Sequence, residues 1–319
     1  MRALITGVTG FAGGHLAEYL LSLGDQVVGA SVSGKWPAEL ADMGSKIRTI
    51  AHDLGIGDPA VLVKLLEEER PDVIYHLAAQ ASPGRSREDP RGAWRTNLGG
   101  TLNLLESVRT SGSSPRIVLV GTGASYGNPA PEHLPVNESC PLRPTNPYAA
   151  SKAAADMAGL EFALGRGGDL VVVRPFNHTG ARQSDTYVLS SFARQIAEIE
   201  AGCRDHIDVG NLEVVRDFTD VRDVVRAYRL LAEKGVAGEV YNLGTGRSVT
   251  LSALLDHLIS LARVPVEVRI SSDRLRSSDH PIVLADASKL HAATGWAPCF
   301  AIEQTLSDTL EYWRAVVSK

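Results

Sequence analysis

Tyr148 and Lys152 stand four residues apart in NPYAASKAAADMAGLEF, a stretch that reads as a helix after Pro147, so both side chains fall on one helix face. An ammonium near a phenol favours the phenolate, and a positive nicotinamide adds to that effect. Tyr148 therefore reads as a group exchanging a proton near neutral pH, although free tyrosine ionises only near ~10. A second hydroxyl, Thr122, lies in GTGASYG, just past the apolar run RIVLV (Arg116 to Val120). At the amino terminus, Gly7, Gly10 and Gly13 are spaced GxxGxxG, with Thr9, Phe11 and Ala12 between them. Glycines in such a turn let a backbone approach a pyrophosphate, which the free N–H groups and dipole of the next helix attract. A surface helix pair or a structural turn would explain either motif alone. Together they point to a dinucleotide-dependent redox enzyme.

These groups need a scaffold that brings strand ends together. RALIT, QVVGASV, KIRTIA, DVIYHLA, RIVLV and DLVVVRP read as strands, and HLAEYLLSLG, PAVLVKLLEEER and NLGGTLNLLESVRTSG between them read as helices. That alternation predicts an α/β fold of the Rossmann type, a doubly wound parallel sheet with ligand at the strands' carboxyl ends. Residues 1–174 form the expected nucleotide-binding domain. Residues 175–319 form a smaller, partly discontinuous substrate lobe, in which about 210–245 cross back. There VLSSFARQIAEIEAG and LSALLDHLISLAR read as helices, PVEVRI as a strand and HIDVGNLEVVRDFTDV as a short strand pair.

The second strand should end near the adenosine ribose, where an acid selects a free 2′-hydroxyl and a basic or small polar group admits a 2′-phosphate. Ser31, Ser33 and Lys35 stand there with no acid, which favours NADP(H) and leaves NAD(H) open. Asp53 and Leu54, and the run Leu77, Ala78, Ala79, Gln80, fall at the ends of the third and fourth strands, where they could line adenine and ribose. The 319 residues are 44% hydrophobic and 22% charged, with net charge -5, the composition of a globular protein without the basic footprint of nucleic-acid binding. Cys140, Cys203 and Cys299 form neither a disulfide framework nor a metal-ligand cluster. No signal peptide or membrane-length apolar run is read, so the expectation is a cytoplasmic protein without a metal.

The sequence resembles the extended short-chain dehydrogenase/reductases that modify nucleotide sugars. The resemblance spans essentially the whole chain, through TGVTGFAGGHL, HLAAQ, NLGGTLNLLE, the hydroxyl before YG, NPYAASK, RPFNHTG and RDFTDVRD. The last two look especially like the GDP-mannose branch, with its 4,6-dehydratases and 4-keto-6-deoxy-mannose reductases. The resemblance implies that Thr122 hydrogen-bonds the reacting sugar oxygen, Tyr148 is the acid/base, and Lys152 holds the nicotinamide ribose. It also implies a buried Asn97, Pro175 and Phe176 beside the nicotinamide amide, and Asn177 beside the substrate. Val209, Arg216 and Arg276 would bind the substrate nucleotide, the two arginines at its diphosphate, with Asp279 on its ribose. Relatives commonly read Arg-Pro-x-Glu where this chain has Ser277 and Asp279. Arg216 and Arg276 could instead pair with Asp217 and Asp279 as solvated surface charges.

A 4,6-dehydratase needs an acid and a base besides the tyrosine, and the resembled dehydratases carry a glutamate two residues before the tyrosine of YG. Here that position is Ala124, while Glu132 and Glu138 lie downstream with no spacing that brings them to the site. A 4-keto reductase needs only hydride from NADPH and a proton from Tyr148. The resemblance thus implies reduction of GDP-4-keto-6-deoxy-D-mannose to GDP-D-rhamnose or to its C4 epimer, GDP-6-deoxy-D-talose. Dehydratase, 4-epimerase and a catalytically silent dinucleotide sensor stand as alternatives. Family members are usually homodimers through helices flanking the sheet, here NLGGTLNLLESV and YAASKAAADMAGLEF.

Overall fold

The structure, a computed structural model, describes residues 1–272 and 282–318. Seven parallel strands form the central sheet: β1 (Arg2–Thr6), β2 (Gln26–Ser31), β3 (Arg48–Ala51), β4 (Val73–His76), β5 (Arg116–Val120), β6 (Leu170–Pro175) and the late strand Val240–Leu243. Across the sheet the late strand comes first, followed by β6, β5, β4, β1, β2 and β3. Chain order therefore reverses between β1 and β4, where Thr6 pairs with His76, and a crevice opens at the strands' carboxyl ends. Except at the edge strand β3, whose Arg48 and Ala51 are exposed, the strands are largely apolar on both faces because helices cover both. Leu16, Leu20, Val224 and Tyr228 pack on one side, and Leu62, Leu66, Leu104 and Phe162 on the other.

Helix α1 (Phe11–Ser22) begins at the glycine turn. The Tyr148 helix spans Pro147–Arg166, with Pro147 in its first turn and Asn146 capping it by accepting from the Ala149 N–H at 2.9 Å. Its small residues let it lie close on the sheet: a Cβ on Gly159 would stand 2.4 Å from the Leu119 side chain. The NLGGTLNLLESVRTSG segment does not begin as a regular α-helix. Arg95–Gly99 forms a π turn before the α-helix Gly100–Ser111, so Asn97 sits in a bulge.

The helices Val188–Glu200, Leu251–Ser260 and Ile302–Val317 enclose a second core around Phe192, Leu254, Leu310 and Trp313. Between these elements the chain returns to the first sheet through the helix Val221–Lys234 and the strand Val240–Leu243. The expected strand pair within residues 206–221 is corrected. His206–Val209 pairs in parallel with Glu267–Ile270, Val215–Arg216 with Val249–Thr250 and with Ile282–Val283, and Phe218–Asp220 with Asn177–Thr179. Alternation of apolar residues marks a strand but does not name its partner, which the facing core selects here.

Candidate active site

At the strand ends the glycine turn is built to receive a phosphate group. Gly7 has φ 76°, and a Cβ there would stand 2.9 Å from the Ala78 nitrogen. A Cβ on Gly13 would lie 2.2 Å from the Gly7 carbonyl oxygen, so the first turn of α1 can approach the loop only without one. Gly10 caps α1 without a side-chain acceptor, which leaves the N–H groups of Phe11, Ala12 and Gly13 directed out of the helix beside half-buried Thr9. These features fit a dinucleotide pyrophosphate. The Phe11 ring stacks on His178 from the RPFNHTG loop at 6.0 Å, joining the cradle to the second lobe.

The proposed ribose end is a tight loop after β2. Buried Ser31 accepts from the Gly34 N–H at 3.1 Å, and Ser33 accepts from the Lys35 N–H at 3.2 Å, which leaves Ser33 and Lys35 exposed. Asp53 accepts from the Gly55 N–H at 2.9 Å, whereas the Leu54 side chain lies in the core, so only its backbone can meet a ligand. At the end of β4, His76 is fixed between Thr6 at 2.8 Å and Thr101 at 3.0 Å; burial lowers its pKa to about 3 and keeps it neutral. Thr6 also accepts from the Ala78 N–H at 3.3 Å, which sets the Leu77–Gln80 run in place. Ala79 in that run is half-buried. Asn97 is buried, as the resemblance implies. Its side chain accepts from the Gln80 N–H at 2.8 Å and donates to Ser151 Oγ at 2.9 Å, tying the loop to the Tyr148 helix.

Thr122 begins the turn Gly123–Tyr126 and accepts from the Ala124 N–H at 3.2 Å. The Tyr148 phenol is hydrogen-bonded to it, and the Tyr148 N–H donates to Ser86 Oγ at 3.2 Å. Burial pushes the phenol up to about 12, with the Thr122 hydrogen bond opposing. Lys152 is buried and Tyr148 half-buried on that face, so desolvation of the phenol works against the phenolate that a neighbouring positive charge favours. Burial also draws the Lys152 ammonium down to about 8, against the pull of the Asp156 carboxylate. At neutral pH both groups carry their protons. Within the turn, Gly123 and Ser125 are buried, and Ala124 alone is exposed, so a methyl group stands where an acid could have faced the cleft. Glu138 accepts from the Asn242 N–H at 2.7 Å, and Glu132 lies exposed in the separate turn Pro131–His133.

Phe176 packs against Gly123 and the Tyr126 ring, directly after Pro175 at the end of β6, and Asn177 is exposed at the start of the next short strand. Val209 places its side chain in the second core. Arg216 is half-buried and donates to the Val215 carbonyl at 2.8 Å. Asp217 is not a solvated surface charge. It is fully buried and accepts from the backbone N–H groups of Thr245, Gly246 and Ala285 at 2.9, 2.9 and 3.3 Å. Arg276, Ser277 and Asp279 lie outside the described residues. Among the described residues no group of three or more His, Cys, Asp or Glu is placed to hold a metal ion, and no helix is long and apolar enough to cross a membrane.

Several groups here escaped sequence reasoning. Ser86 and Ser151 brace the backbone around Tyr148, and the Tyr187 hydroxyl donates across the lobes to the Ala81 carbonyl at 3.3 Å. Asp156, four residues beyond Lys152, is fully buried and paired with Arg174 at 2.9 Å. The same four-residue spacing that singled out Tyr148 and Lys152 would have found it.

Residues 4–309 match the family model described as GDP-mannose 4,6 dehydratase. The chain is 35% identical over 317 residues to a GDP-6-deoxy-D-mannose reductase of Pseudomonas aeruginosa, covering 99% of this chain and 98% of that one. It is 28% identical to a GDP-mannose 4,6-dehydratase of Yersinia enterocolitica, covering 96% and 92%. Among solved structures, RMD from Pseudomonas aeruginosa complexed with NADPH superposes with a TM-score of 0.86 at 34% identity, covering 99% of both chains. A Thermotoga maritima UDP-glucose 4-epimerase with UDP-glucose gives 0.87 at 29% identity, covering 99% and 100%.

Proposed function

The chain belongs to the GDP-mannose 4,6-dehydratase family of extended short-chain dehydrogenase/reductases, and we propose that it is an NADPH-dependent reductase of the 4-keto group of GDP-4-keto-6-deoxy-D-mannose. Its product is GDP-D-rhamnose or the C4 epimer, GDP-6-deoxy-D-talose. The observation that carries this reading is the inventory of proton-handling groups. Tyr148 stands beside Thr122, Lys152 follows Tyr148 one turn on along the same helix, and the one exposed residue of the Gly123–Tyr126 turn is Ala124. Those groups suffice to protonate a reduced carbonyl but not to remove a C5 proton and expel a C6 hydroxyl.

In this reading residues 1–174 bind the cofactor, held by the N–H groups at the start of α1 and by Ser31, Ser33 and Lys35, and residues 175–319 mainly bind the sugar nucleotide. When bound, NADPH supplies the hydride for C4. Thr122 orients the C4 oxygen, Tyr148 donates its phenolic proton to that oxygen, and the Lys152 ammonium stabilises the phenolate left behind. A tyrosine that is protonated at neutral pH suits this direction. Asn177 meets the substrate, and Arg216 and Arg276 serve its diphosphate, the guanidinium groups matching phosphate oxygens. The 35% identity to a GDP-6-deoxy-D-mannose reductase supports a GDP-sugar, and the relative solved with NADPH supports NADP(H), with NAD(H) as the alternative. The same reading makes the protein a cytoplasmic homodimer. Leu102, Met157 and Leu164, exposed by 48, 47 and 74% on the helices Gly100–Ser111 and Pro147–Arg166, would meet their counterparts.

Purified protein with NADPH and GDP-4-keto-6-deoxy-D-mannose, followed by nicotinamide absorbance and NMR of the sugar, should give stoichiometric NADPH oxidation and a 4-hydroxy product. A parallel incubation with GDP-mannose alone should give nothing. Formation of the 4-keto sugar there would establish the dehydratase and refute the significance attached to Ala124.

A further inference from the structure

Asp156 is the one acidic group on the face that carries Tyr148 and Lys152, eight residues and four residues along the same helix. Its exposure is 0%, and one oxygen, Oδ2, accepts from Arg174 Nε at 2.9 Å. Arg174 in turn donates to the Tyr126 hydroxyl at 2.9 Å, and that hydroxyl donates to Asn242 Oδ1 at 2.7 Å, so the carboxylate is anchored from β6 and from the turn that follows Thr122. The other oxygen, Oδ1, has no hydrogen-bond partner and lies against Gly121, where a Cβ would stand 2.6 Å away. A buried carboxylate with an open oxygen against Gly121 is costly to keep charged: burial raises its pKa, and the Arg174 guanidinium and the Lys152 ammonium oppose that rise.

We propose that Asp156, anchored by Arg174, is a positioning residue of the reaction: its buried carboxylate, four residues beyond Lys152 on the same helix, is the counter-charge of the Lys152 ammonium. This rests on the reductase reading. The carboxylate favours the positive charge on Lys152, whereas burial is what chiefly keeps the Tyr148 phenol protonated, with Asp156 adding a smaller effect in the same sense. Among the described residues Lys152 has no ion-pair contact, so the charge acts through the protein rather than by direct pairing.

The other neighbours do not supply this effect. His76, facing Lys152 from β4, is neutral. Tyr187 at the start of the Val188–Glu200 helix and Tyr228 on the Val221–Lys234 helix face Tyr148, and burial raises both. Glu138 acts on the Tyr126 phenol and accepts from the Asn242 N–H, and it is not among the groups that shift Lys152. Arg174 is positive and would by itself drive Lys152 the other way. Among the described residues Asp156 is thus the anionic group acting on Lys152.

The test measures kcat/KM for NADPH-dependent reduction of the 4-keto sugar from about pH 6 to about pH 10 in wild type, Asp156→Asn and Asp156→Glu. Loss of the charge should move the alkaline limb of Asp156→Asn down by about one pH unit, and Asp156→Glu should restore it towards wild type. A merely structural role would lower activity equally at all pH values, and an unmoved limb overturns the proposal. A second measurement needs neither activity nor a variant that folds. NMR of the lysine side chains in the wild-type protein, of which there are seven, should show a buried lysine that keeps its proton at neutral pH. A Lys152 already neutral below about pH 7 overturns the proposal. If wild type reduces no 4-keto sugar but Lys152 titrates lower in Asp156→Asn than in wild type, the reductase reading falls and the role of Asp156 as counter-charge stands.

Discussion

Replacing Arg174 by methionine removes one half of the buried pair beneath the active site and leaves the other. Arg174 and Asp156 are 3 and 0% exposed, and their contact is 2.9 Å. Removing one partner of such a pair destabilises a protein by about 3–5 kcal/mol, because the remaining charge is neither solvated nor neutralised. The hydrogen bond to the Tyr126 hydroxyl adds about 1 kcal/mol. Against a total stability on the order of 5–15 kcal/mol, Arg174→Met should therefore forfeit roughly a third or more. The loss should depend on pH. Burial already raises the Asp156 carboxyl above its ordinary value, and Arg174 opposes that rise, so the variant's carboxyl moves higher still. A folded-state acid with a raised pKa binds protons that the unfolded chain has released, so stability falls as pH rises from the ordinary carboxylate pKa through the raised one. Urea denaturation followed by circular dichroism at about pH 5 and about pH 8, at equal salt, should show the larger loss at the higher pH. The double variant Asp156→Asn with Arg174→Met should regain most of it, since no ion is left unpaired. A loss under about 1 kcal/mol, or one equal at both pH values, would refute this account of the pair.

Tyr148→Phe should lower kcat by about 10²–10⁴-fold while NADPH affinity by calorimetry stays within about two-fold; retained turnover would remove Tyr148 as the proton donor. Gly13→Ala places a Cβ 2.2 Å from the Gly7 oxygen. It should reduce stability by about 1–3 kcal/mol and weaken NADPH binding more than about ten-fold, and unchanged binding would show that the turn is not the pyrophosphate cradle. Lys35→Glu should lower the preference of kcat/KM for NADPH over NADH by about ten-fold, whereas an unchanged ratio would place the 2′-phosphate elsewhere. Leu164→Asp, on the exposed helix face, should convert a dimer to a monomer in sedimentation, and an unaltered mass would locate the interface elsewhere.

The scaffold was legible because its signals are local. The runs that became β1, β2, β4, β5 and β6 are largely apolar segments, since helices cover both sheet faces, and the glycine spacing before α1 is set by backbone contact at Gly7 and Gly13. The exposed side chain of Ala124, flanked by buried Gly123 and Ser125, was legible only as a residue type; its direction came from the fold. The partners of the strands in residues 206–220 were not legible. His206–Val209 meets Glu267–Ile270 from some sixty positions later, a contact chosen by the second core.

Sequence by itself determined the residue types that can move a proton here, Thr122, Tyr148 and Lys152, and the four-residue period that puts the last two on one face. Only the tertiary structure decided their state. Burying that face against β5 and β6 raised Tyr148, lowered Lys152 and set Asp156 and Arg174 beneath them. Ionisation depends on the solvation and charge surrounding a group in three dimensions, and Arg174 and Tyr126 reach this site from separate segments of the chain.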